Sequence, residues 1–160
     1  RSNALQVRVF GPGWNYASSE FKHRIGSNLK PGVFGDELAI VYRASKVNLG
    51  LLSCGVCDPT ICDQSTARTF QIPATRSLML HQDTAEVRSL FKEGEEVLLF
   101  RTNDDLVDQI NVALKDSDLR TAFQERSYDR CMREPYDYSG AALRIVGYFE
   151  NMVGAQKRLG

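Results

Sequence analysis

The residues best suited to chemistry in this 160-residue chain lie between Asp63 and Leu80. The run Asp-Gln-Ser-Thr-Ala-Arg-Thr-Phe-Gln-Ile-Pro-Ala-Thr-Arg-Ser-Leu-Met-Leu reads as a polar loop, a short helical turn carrying Arg68 and Gln71, and a buried strand Ser77–Leu80. In open α/β sheets a polar strand-to-helix junction is where ligands sit. The first turn of a helix has N–H groups without intrahelical acceptors, and its dipole favours an anion. Phosphate is the chemistry such a junction serves.

Other candidates are weaker. Gly11-Pro-Gly13-Trp14 ends a first predicted strand, and glycines there let the backbone come close to a ligand. The run is not a full Gly-x-Gly-x-x-Gly, so a plain strand-ending turn fits these residues equally well. Lys46 is either a phosphate ligand or a solvated charge at the start of a strand. His81 stands at a strand end, where a satisfied histidine is the preferred reading over one facing a cleft. Three of the four cysteines form Cys54-x-x-Cys57-x4-Cys62. A zinc site lacks a fourth ligand at a usual spacing, because Cys131, His23 and His81 lie far off. A redox pair of Cys54 and Cys57 lacks the helix that should follow at once. A loop with incidental thiols is preferred, and no metal is expected.

The bulk numbers narrow the function classes. Twenty basic and twenty acidic residues cancel, which gives no reason to expect nucleic acid or an anionic membrane as partner. No apolar run approaches the roughly 18 to 20 residues of a membrane span, and no signal-peptide pattern opens the sequence. A cytoplasmic setting with reduced thiols is therefore expected. Ser2-Asn3-Ala4 resembles a cloning remnant, so residues 1–4 are set aside and the chain is expected to be a fragment of a longer protein. Residues 5–160 are expected to form one domain.

The elements that must position the candidates follow from pattern. Leu5–Phe10 alternates like a strand, and His23–Gly26 is a second, short one. Ser18–Arg24 is a short helix or loop, and Lys30-Pro-Gly32 a turn. Gly35–Ser45 has helical spacing with Asp36 and Glu37 in its first turn. Lys46–Ser53 is a buried strand. Asp83-Thr-Ala-Glu86 reads as a capping box for a helix Thr84–Phe91, followed by a strand Glu96–Phe100. Thr102 caps a helix to about Lys115, and Asp116 or Ser117 caps Asp118–Arg133, which Pro135 stops. Ser139 opens a last helix, Gly140–Leu159, with an apolar stripe at Ala142, Ile145, Val146, Phe149 and Val153. Alternation of about five strands with six helices implies α/β: an open, parallel, Rossmann-like sheet with helices on both faces and a helical end.

The ordered set Leu5–Trp14, Val41–Leu49, Arg68-Thr-Phe-Gln-Ile-Pro-Ala74, Leu90–Phe100 and Tyr136–Arg144 resembles the C-terminal half of GT-B glycosyltransferases. The group it resembles is the CgeB-like, spore-maturation one, related to the retaining group 1 enzymes. The resemblance implies a hexosyltransferase-type enzyme whose C-terminal domain holds a nucleoside-diphosphate sugar as co-substrate, with no other cofactor and no metal. It also implies a missing N-terminal acceptor domain of the same chain as partner, and an isolated domain inactive alone. The family's motif is an acidic residue followed eight positions later by a second. It falls here on Asp63, expected to contact sugar or phosphates, and on Gln71, at the ribose position. Arg68 matches the basic residue before Phe70 and is expected to pair with the diphosphate, beside N–H groups following Ser65 and Thr66. Gly13 and Trp14 are expected near the nucleotide, Trp14 either stacked on the base or packed in the core.

The resemblance has two departures. Gln71 replaces a carboxylate that would accept both ribose hydroxyls. Arg76 stands where many relatives have glycine, and either crowds the phosphate loop or adds a contact to it. The alternatives are a non-catalytic glycosyltransferase-like binding module with a degenerate donor site, or a metal- or redox-linked domain built on the cysteine loop.

Overall fold

In the computed structural model, residues 5–52 and 62–157 are described. Contacts between segments divide the chain into two units, Arg1–Val41 and Tyr42–Gly160. The expected cysteine loop at 54 and 57 lies outside the described residues, as do residues 1–4 and 158–160.

In the first unit, strand β1 (Val9–Phe10) is short because its partner is short. Helix α1 (Ser19–Ile25) follows, capped by Ser18, whose hydroxyl accepts from the Phe21 N–H at 3.2 Å. Glu20 and Arg24 pair at 3.0 Å one turn apart, which also favours helix. The expectation of a strand over His23–Gly26 is corrected here. The second strand is β2 (Leu29–Lys30), which pairs with β1 in parallel, Val9 opposite Leu29. Pro31 follows and has no N–H for the ladder, so pairing stops and Lys30 belongs to the strand rather than to a turn. Helix α2 (Gly35–Ala44) then runs on to the second unit.

In the second unit, β3 (Asn48–Gly50), α3 (Ala67–Ala74), β4 (Met79–Gln82), α4 (Ala85–Leu90) and β5 (Leu98–Phe100) alternate. Three helices close it: α5 (Asn103–Lys115), α6 (Ser117–Arg133) and α7 (Tyr138–Lys157). The strands lie in the order β3-β4-β5, all parallel, with Leu80 opposite both Leu49 and Leu98. Successive side chains of a strand point to opposite faces. Leu78 and Leu80 therefore share one face with Leu98 and Phe100, where they pack on Leu106, Ile110 and Ala113 of α5 and Leu119 and Phe123 of α6. His81 points to the other face and meets Thr69 of α3. The fold is thus α/β with parallel strands and helices, of Rossmann-like half-domain type.

Local caps account for most helix starts. Thr102 accepts from the Asp105 N–H at 3.1 Å and Asp116 from the Leu119 N–H at 2.8 Å, opening α5 and α6 where expected. The cap of α4 is Thr84, not a box begun by Asp83: Thr84 accepts from the Val87 N–H at 3.1 Å. Asp83 is engaged elsewhere, by Arg88 and Arg101. The stripe of α7 is also corrected. Ile145, Val146 and Phe149 are 69%, 51% and 66% exposed, so among the described residues nothing covers them. No helix among the described residues is long and apolar enough to cross a membrane.

Candidate functional site

The residues at the carboxyl ends of β3, β4 and β5 and at the start of α3 form the candidate site of the second unit. Arg68 stands in the first turn of α3 and reaches back to donate from Nη2 to the Leu51 carbonyl, 2.7 Å away, just past the end of β3. Thr84, just past β4, donates to the Gln64 carbonyl at 2.7 Å and so ties the loop before α3 to the next crossover. Leu52 N–H faces Gln82 Oε1 at a long 3.5 Å. The first two links tie the polar loop and the start of α3 to the sheet.

The N-terminus of α3 has an unusual polar arrangement. Thr66 N–H donates to Thr69 Oγ1 at 3.0 Å, one half of a capping box. The box also turns the Thr69 N–H towards the Thr66 side chain, but that N–H makes its hydrogen bond to the Thr66 carbonyl at 2.9 Å. The Thr66 hydroxyl oxygen is consequently buried with no hydrogen-bond partner among the described residues. A buried hydroxyl left unpaired costs on the order of 1 to 3 kcal/mol, which a ligand oxygen can recover.

Thr69, Ile72 and Pro73 face inward from α3, whereas Arg68 and Gln71 are exposed and three positions apart, on one side of the helix. Asp63 is exposed in the loop before it. The structure therefore brings Thr66, Arg68 and Gln71 onto one short helix, with Asp63 close by in sequence. Arg76 stands beyond the other end of α3, at φ 53°. Its guanidinium lies 4.2 Å from the centre of the Tyr128 ring and 3.4 Å from Glu125, both of α6. Gly13 and Trp14 belong to the first unit: Gly13 has φ 87°, and Trp14 stacks on Phe21 with ring centres 5.4 Å apart. Lys46 is an exposed residue before β3.

Two features went unnoticed in the sequence. One is Thr69 with His81, both 0% exposed, whose Oγ1 and Nε2 lie 2.9 Å apart. The other is an ion cluster beyond β4 and β5. Asp83 accepts from Arg88 Nε at 2.6 Å and pairs with Arg101 Nε at 3.0 Å, while Arg101 also binds Glu93 at 2.7 Å. The Arg88 hydrogen bond holds the Asp83 carboxyl below the usual carboxylate range, with Arg101 helping and burial opposing. Acids and arginines directly after strands are the signal that could have found this cluster. No comparable signal links Thr69 to His81, because the pair is formed only when helix and strand meet.

Of the described cysteines, Cys131 is no nucleophile at neutral pH. Burial pushes the Cys131 thiol up to about 12, so it stays protonated at neutral pH. Among the described residues no group of three or more His, Cys, Asp or Glu side chains could hold a metal ion.

Residues 1–146 match the sequence model of the glycosyl transferase-like family. This chain belongs to that family. No curated protein matches it. For a glycosyl transferase-like domain, the start of α3 is placed where parallel α/β sheets hold ligands, beyond the carboxyl ends of the strands.

Proposed function

We propose that this chain is the donor-binding, C-terminal half of a GT-B glycosyltransferase of the CgeB-like kind. In this reading α3 receives the diphosphate of a nucleoside-diphosphate sugar. The observation that carries it is the Thr66 hydroxyl at the N-terminus of α3, buried and without a hydrogen-bond partner among the described residues, next to Arg68, in a chain of glycosyl transferase-like family. The N–H groups of the first turn and the Thr66 hydroxyl would meet phosphate oxygens. Arg68 spends one N–H on Leu51 and, being exposed, has others to offer. As the sugar's bond to the diphosphate breaks, negative charge grows on the leaving oxygen, and these donors are fixed in advance to stabilise it. Asp63 would contact the sugar and Gln71 the ribose. For Arg76 the reading is a contact to Tyr128 and Glu125 rather than to phosphate. The acceptor, and a second domain to bind it, would come from chain outside this sequence, in a cytoplasmic setting.

A second reading is a binding module with a degenerate donor site, favoured by Gln71 at the ribose position. Thermal unfolding against a panel of nucleoside diphosphates and their sugars separates the two. A ligand at 100 times its Kd adds about 2.7 kcal/mol of stability. A rise selective for one base, lost in Arg68→Ala, supports the donor site. No rise with any of them leaves the degenerate module.

A further inference from the structure

One line of hydrogen bonds, buried at its centre, joins the sheet to the start of α3. Thr66 N–H donates to Thr69 Oγ1 at 3.0 Å, Thr69 Oγ1 lies 2.9 Å from His81 Nε2, and His81 Nδ1 lies 2.6 Å from the Gln82 carbonyl oxygen. The ends of the line fix its direction. An amide N–H only donates and a carbonyl only accepts. His81 therefore carries its proton on Nδ1, and its bare Nε2 accepts from the Thr69 hydroxyl. An imidazolium would make Nε2 a second donor and leave the Thr69 hydroxyl proton without its acceptor, at a place where both residues are 0% exposed. Burial pushes the His81 pKa down, and the charge of Arg68 adds to that against the opposing bond to Gln82. A glycine makes room for the ring. A Cβ on Gly50, its partner across the ladder, would stand 2.2 Å from His81 Cδ2.

We propose that His81 is a positioning residue for the α3 anion site, a neutral imidazole that acts through Thr69 to fix the Thr66 amide. With the Thr66 amide held inward, the Thr66 hydroxyl and the first N–H groups of α3 are left for the anion. The proposal rests on the donor-site reading above and gives that site a support in the middle strand of the sheet.

The test uses Thr69→Val, which keeps the side-chain volume and removes the hydroxyl, and Thr69→Ser, which restores it. Three quantities are read on the whole chain. Nitrogen-15 shifts of His81 in the wild type give the tautomer, the exchange rate of the Thr66 amide gives the hold on the cap, and titration with inorganic pyrophosphate gives the site's affinity. The expected results are an Nδ1–H tautomer, Thr66 exchange about tenfold faster in Thr69→Val, and pyrophosphate affinity about tenfold weaker, with Thr69→Ser near wild type on both counts. An Nε2–H tautomer or a cationic ring overturns the proposal. So does Thr69→Val with wild-type pyrophosphate affinity. A wild type that binds neither pyrophosphate nor any nucleoside diphosphate overturns the donor-site reading instead, and is recognised as such because tautomer and exchange are read without ligand. The tautomer is measured on the wild type, so a variant that fails to fold still leaves the proposal open to refutation.

Discussion

Gln71 is the side chain at which donor grip and donor loss are most sharply opposed. It is exposed on α3, three positions from Arg68, and an amide offers a sugar hydroxyl one uncharged acceptor oxygen where a carboxylate offers two charged ones. Gln71→Glu is expected to tighten nucleotide binding by about 1 to 2 kcal/mol, roughly five- to thirtyfold, in isothermal titration. A degenerate site would gain nothing. Asp83 gives a second prediction, in pH. Its native carboxyl lies below the ordinary range, chiefly through Arg88, so the native state binds that proton less readily than the unfolded chain does. The stability this supplies is present above about pH 3.9 and is lost as pH falls through the lower native value. Urea midpoints should therefore show Asp83→Asn less stable than wild type at pH 5, with the gap closing towards pH 2. A gap that stays constant over that range would count against the ion cluster. Asp83 also explains a misreading: in sequence it looks like a cap, and only the fold shows that Arg101, past the next strand, competes for it.

Elements were legible where the signal is local. Thr102 and Asp116 mark the starts of α5 and α6 by their own hydroxyl and carboxylate, three residues from the N–H they receive. Strand lengths were not legible, because a parallel ladder extends only as far as its partner. Leu5–Phe10 alternates correctly yet pairs at Val9 and Phe10 alone. The helix carrying Arg68 and Gln71 could be read from sequence, whereas its anchoring to His81 could not, since Thr69 and His81 lie twelve positions apart and on different elements. Thr84 joins the two kinds of information. It caps α4 through the Val87 N–H, a local act, and donates to the Gln64 carbonyl twenty positions back, a tertiary one. Thr84→Ala should cost about 1 to 2 kcal/mol from the cap alone, measured by urea unfolding. It should also speed amide exchange in residues 64–66, the loop before α3. Thr84→Ser should restore both, whereas a purely local cap would leave the loop's exchange unchanged.

Across the second unit, apolar residues divide into a packed set and an uncovered set, and pattern alone does not tell them apart. Phe123 on α6 is 6% exposed within the cluster of Leu78, Leu80, Leu98, Phe100 and Ala113. Phe149 on α7 is 66% exposed, although the spacing of the α7 stripe is as regular as a core-facing one. The same truncation should thus have unequal effects. Phe123→Ala removes a packed ring and leaves a cavity, at about 3 to 5 kcal/mol. Phe149→Ala removes a ring already in contact with water and should stay within about 0.5 kcal/mol. Paired urea curves at one protein concentration decide it. A Phe149→Ala cost near that of Phe123→Ala would mean that the outer face of α7 is covered in solution. Repeating both curves at a tenfold lower concentration would then identify the cover: a midpoint that moves with concentration points to a second copy of the chain, and one that does not points to α7 folding back on its own unit.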